Sequence, residues 1–83
     1  MKLNNNKIEL NEKLNLANTL NKCNKDYEYF VCDIYDGLNI ISGWEYKEDA
    51  KDALMDEEEI CEDNFFNCEL KIYTRRYLNN LIK

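Results

Sequence analysis

The stretch from Tyr27 to Tyr35 constrains what this chain can fold into more than any other. It is dense in aromatic and β-branched residues, which favour a pleated strand. Phe30, Cys32 and Ile34 fall on one face, with Tyr29, Val31, Asp33 and Tyr35 on the other. Asp36-Gly37 follows directly, the dipeptide that favours a two-residue type I′ turn because both positions need positive φ. Leu38 to Ser42 then reads as the returning strand, with Gly43 ending it. A lone hairpin is marginal in water, so the rest of the chain must cover it.

The flanking segments carry helical periods instead. Leu10, Leu14 and Ala17, and in parallel Leu16, Leu20 and Cys23, recur at helical spacing, which predicts a helix from Lys7 with residues 1–6 frayed. Asn11, Asn15, Asn18 and Asn21 are weak helix formers, so tertiary contacts must hold this helix. Lys47 to about Glu62 predicts a second helix with Ala50, Ala53, Leu54, Ile60 and Cys61 as its apolar stripe. Cys68, Leu70 and Ile72 alternate with Glu69, Lys71 and Tyr73 in a third strand. Thr74 can cap a short last helix carrying Tyr77, Leu78, Leu81 and Ile82.

The resulting order is α-β-β-α-β-α. The first strand is the most apolar and should be central, with the third strand reaching its free side by a right-handed crossover. The predicted fold class is therefore α+β: one small domain over residues 1–83, with a three-stranded antiparallel sheet in the order 2-1-3 packed with helices. Tyr29, Tyr35 and Tyr73, with Val31, are expected to share one sheet face beneath the first helix. Trp44 is either a core residue or an anchor beside the second helix, and the core is the expectation.

Composition removes several function classes. The chain has no histidine, so Ser/His/Asp and Cys/His arrangements are impossible. With two glycines in all, it has no phosphate-cradling loop. The expectation is a protein that is not an enzyme and uses no cofactor. No Cys-x-x-Cys pair exists among Cys23, Cys32, Cys61 and Cys68, so no metal site is expected either. All four are expected to be reduced, small apolar residues. No apolar run reaches the roughly 18 residues of a membrane span, and the first residues lack the apolar run of a signal peptide. The expected location is the cytoplasm of a host bacterial cell, without membrane contact.

Charge is concentrated. Residues 1–25 and 64–83 each carry a net +3, whereas residues 26–63 carry a net −12. Glu48, Asp49, Asp52, Asp56, Glu57, Glu58, Glu59, Glu62 and Asp63 stand against Lys51 alone, a net −8 over sixteen residues. At 1.5 Å per residue that segment is about 24 Å long as a helix, so one net charge falls roughly every 3 Å. A strand of B-DNA carries one per about 3.4 Å. Glu48, Asp52, Asp56, Glu59 and Asp63 line the face opposite the apolar stripe. Acids near the helix C-terminus oppose the macrodipole, at a cost of a few tenths of a kcal/mol each. That conflict lacks a folding rationale, which marks these nine acids as the candidate partner-binding residues. The alternative is a solvated face that only keeps a small protein soluble. The net charge and the absence of a basic stripe disfavour direct nucleic-acid binding.

The run Glu48-Asp49-Ala50-Lys51-Asp52-Ala53-Leu54-Met55-Asp56-Glu57-Glu58-Glu59, on a short chain rich in residues with AT-rich codons, resembles the small acidic proteins of phages and mobile elements. These include anti-CRISPR and anti-restriction proteins. The likeness is one of type: charge, length and general plan. It implies an inhibitor that imitates the charge of nucleic acid and blocks the basic groove of a defence nuclease complex. The other reading is a structural or regulatory protein that pairs through apolar or tyrosine surface, or with a second copy of itself through a sheet edge.

Overall fold

A computed structural model describes residues 10–35, 37–65 and 67–82. The elements are α1 (Leu10–Lys22), β1 (Tyr29–Asp33), β2 (Asn39–Trp44), α2 (Lys47–Asp63), β3 (Leu70–Thr74) and α3 (Arg75–Ile82). The sheet is antiparallel in the order β2-β1-β3. The α+β order read from the sequence is the order of the structure. The expectations of a frayed 1–6, of a helix start at Lys7 and for Asp36 lie outside the described residues.

Strand β1 is central because it is buried on both faces: Phe30, Val31 and Cys32 have no exposed surface. On one face Phe30, Cys32 and Ile34 pack with Leu16 and Leu20 of α1 and with Leu78 and Leu81 of α3. On the other, Val31 and the buried Ala50 lie on the side covered by α2, which touches all three strands. The protein is thus a sheet between two helical layers.

Several local expectations are corrected. Leu10 and Leu14 are exposed, because their row lies over 100° around α1 from the Leu16–Leu20 row and both cannot face the sheet. Helix α2, not α1, covers the Val31 face. Tyr73 pairs in register with Phe30 and packs into the α1/α3 core, so it does not share a face with Tyr29 and Val31. The hairpin connection runs from 34 to 38 rather than through two residues. Asp33 ends the strand, since its Oδ1 accepts the backbone N–H of Tyr35 at 2.9 Å and of Glu69 at 3.1 Å. Gly37 has φ +93, as the turn chemistry requires.

Gly43 does not end β2, which continues to Trp44. It pairs with Phe30, and a Cβ there would lie 2.5 Å from Cδ2 of Tyr27. The Tyr27 ring covers the bare glycine of an edge strand, an arrangement that an added methyl would displace. We expect Gly43→Ala to cost about 1–3 kcal/mol, as overpacking does, read as a lowered urea midpoint. A change below about 0.5 kcal/mol would show that the ring moves aside freely.

Helix α3 starts where Thr74 caps it, with the Tyr77 N–H donating to Thr74 Oγ1 at 3.1 Å. Arg75, the first residue of α3, is held by backbone carbonyls of the same chain. Its Nε donates to Tyr27 O at 2.8 Å, its Nη2 to Asn24 O at 2.9 Å, and its guanidinium lies 5.1 Å from the Phe30 ring centre. It ties α3 to the segment entering β1.

Candidate partner-docking surface

Helix α2 turns Ala50, Ala53, Leu54 and Cys61 toward the sheet, at spacings of three, four and seven. Ile60, expected in that stripe, lies at its edge beside the Ala53 row and is 47% exposed. The outward arc therefore holds the acids. Glu48, Asp49, Asp52, Asp56, Glu58, Glu59, Glu62 and Asp63 are all exposed, and Glu57 is half-buried, seven residues from Ala50 and three from Leu54 and so in line with the sheet-facing stripe. All nine predicted partner-binding residues lie on this one helix, although Glu57 leans away from the outermost line.

The helix ends bear differently on its charge. Glu48 and Asp49 sit in the first turn, where negative charge suits the dipole. No basic residue occupies the last turn, so Glu62 and Asp63 meet the carbonyl end uncompensated. Asn64 closes the helix through its backbone and side-chain N–H groups, both donating to Ile60 O. Phe65 follows with φ 57, and its side chain is 92% exposed. Met55, 65% exposed, lies within the acidic arc.

The cysteine expectation fails at this end of the molecule. Cys61 and Cys68 form a disulfide that bridges the last turn of α2 to the segment entering β3. The pairing could not be read from spacing alone, because a sequence separation of seven fits a helix-to-strand loop only once the ends of both elements are placed. It removes the cysteine argument for a reducing compartment. Cys23 and Cys32 are free thiols, as expected, and Cys32 is fully buried in the core.

Trp44 corrects a further expectation. It is half-buried rather than a core plug, and its indole N–H donates to Ser42 Oγ at 2.8 Å. With Ile41 and Ser42 it forms one wall of a cleft of about 470 Å³ between edge strand β2 and α2. Asp49, Asp52, Ala53, Asp56 and Glu57 form the other wall. Sequence reasoning missed the cleft because Ile41 reaches it only through an irregular register. Val31 pairs with Ser42 and Cys32 with Ile40, which leaves Ile41 as the extra residue of a bulge.

No protein-family model, curated protein or solved structure matches this chain. Its function must be argued from its own residues. Among the described residues, no three acidic or cysteine side chains are grouped so as to hold a metal ion, and no helix is long and apolar enough to cross a membrane.

Proposed function

We propose that this chain is an acidic binding protein that docks α2 on a basic, nucleic-acid-binding protein and inhibits it, as an anti-CRISPR-type blocker of a host defence nuclease complex does. One observation carries the reading: a net −8 lies on a single helix whose acids, Glu57 apart, are exposed on the side away from the sheet. A stripe of this density competes with a phosphate backbone for the same lysines and arginines. Steering by such a field makes association fast and strongly dependent on salt. The place of action is then the cytoplasm of the host cell, with no direct contact to nucleic acid or membrane, no metal or cofactor, and no catalytic step.

The test is charge reversal. The triple variant Asp52→Lys, Asp56→Lys and Glu59→Lys changes the charge of three exposed positions and leaves the apolar stripe intact. Inhibition of target-DNA cleavage by the host effector complex is expected to fall by more than about 100-fold at low salt, since each exchange replaces an attraction with a repulsion. Full inhibition by the variant would overturn the reading.

A second reading is favoured by Phe65 and Met55, exposed apolar side chains beside the acidic arc. In it, apolar surface makes the contact, to a partner or to a second copy, and the acids only keep the chain dissolved. Phe65→Ala would then abolish binding while the triple charge variant retains it, and binding would vary little with salt.

A further inference from the structure

We propose that the cleft between β2 and α2 is a cation pocket that receives an arginine side chain of the basic partner. The proposal rests on the docking reading above and locates its specificity. A charged helix alone attracts any basic surface and selects none. The cleft adds a shape. Trp44 and Ile41 supply an apolar wall on the sheet side, and Asp49, Asp52 and Asp56 supply carboxylates on the helix side.

The occupant follows from those walls. A guanidinium is flat, weakly hydrated, and able to lie on an indole while its N–H groups fork toward carboxylates. An ammonium is a compact, strongly hydrated point charge and gains less from the indole wall. The volume of about 470 Å³ is within the range of ligand-sized clefts and has room for an arginine side chain with part of its backbone.

Two details of the sequence fit this occupant. Of the four acids on the cleft wall, the three exposed ones are all aspartates, and the fourth, Glu57, is half-buried. An aspartate has fewer rotamers to lose than a glutamate when it is fixed on a partner. The Trp44 indole N–H is already committed to Ser42 Oγ, so the ring is oriented before anything binds. A pre-oriented wall reduces the ordering cost of binding.

Trp44 is the only tryptophan, so its fluorescence and its indole N–H resonance report on this cleft alone. The experiment titrates the ¹⁵N-labelled protein at low salt with the amide of Gly-Gly-Arg-Gly-Gly. A second titration uses the same peptide carrying citrulline, which has nearly the same shape and no charge. A third uses hexa-arginine. The expected result is a saturable shift of the Trp44 indole signal with the arginine peptide and none with citrulline. The double variant Asp52→Asn and Asp56→Asn, at exposed positions, is expected to weaken that shift about fivefold, as two solvent-screened charge contacts would.

An indole signal that moves equally with citrulline overturns the cation pocket. So does an indole signal that stays fixed while the α2 backbone amides respond to hexa-arginine, a result that leaves the docking reading standing. If neither Trp44 nor any α2 amide responds to hexa-arginine at low salt, the pocket and the docking reading both fall.

Discussion

Phe30→Ala is expected to destabilise the protein by about 3–5 kcal/mol, the range for removing a fully buried ring from a core. Phe30 has no exposed surface, stands in the central strand and packs with the buried residues of α1 and α3. It also lies under the Arg75 guanidinium and beside Gly43, so its loss empties the point where β1, β2 and α3 meet. A domain of this size has a total stability of roughly 4–12 kcal/mol, so the variant keeps a small margin or none. The thermal midpoint should fall by more than about 15 °C, or the transition should disappear. Phe65→Ala is the matched control. The same substitution at a side chain that is 92% exposed should change stability by less than about 0.5 kcal/mol. Equal effects at the two positions would contradict the placement of the core.

The second large effect is alkaline. Burial pushes the Cys32 thiol up to about 12 from its ordinary 9.0. The unfolded chain releases this proton above pH 9, whereas the folded chain keeps it until about pH 12. The unfolded state then binds fewer protons, so stability is complete below pH 9 and falls as pH rises through the window. Each unit inside it costs about 1.4 kcal/mol, or about 4 kcal/mol across the whole span. Tyr73 acts in the same direction. Burial first, then the nearby Tyr77, Cys32 and Glu69, raise its hydroxyl above the usual 10.0. Urea unfolding at pH 8 and pH 10.5 should reveal the loss. A Cys23→Ala background keeps that free thiol from exchanging with the Cys61–Cys68 disulfide. In Cys32→Ala the pH dependence should be shallower, whatever its absolute stability. An unchanged slope would remove the thiol from the account.

The exposed charge behaves differently from these buried groups. Reversing three carboxylates on α2 should leave folding nearly untouched, because they lie in solvent and partly oppose their own helix dipole. Their effect is expected on association, where the whole field acts at once. Stability and binding can therefore be varied separately in this protein. Core variants test the fold, and α2 variants test the docking proposal.

Much of the fold was legible because its signals are local. The alternation around Phe30, the apolar stripe of α2 and the cap at Thr74 each depend on neighbours within one or two turns of chain. The strand order followed from one further step, that the most apolar strand must be covered on both faces. The acidic helix was legible for the same reason, since charge density is a property of consecutive residues.

What stayed hidden depends on residues distant in sequence. Asp33 could be seen as a strand residue, but not as the acceptor of the Glu69 N–H that ends the strand. Tyr73 alternates correctly in its own strand, yet only its register against Phe30 assigns it to the α1/α3 core. Cys61 and Cys68 are ordinary half-apolar positions until the end of α2 and the start of β3 are brought together. The cleft beside Trp44 needs the bulge at Ile41 and the docking angle of α2, and neither is encoded in a short window.

The sequence by itself therefore determined the element types, their order, the central strand and the acidic stripe, because backbone propensity and side-chain period act over a few residues. The tertiary structure alone decided which helix covers which face, which cysteines meet, and that Trp44 opens beside aspartates instead of filling the core. Those outcomes follow from competition among apolar surfaces for a single sheet, which is settled only when all six elements are in contact.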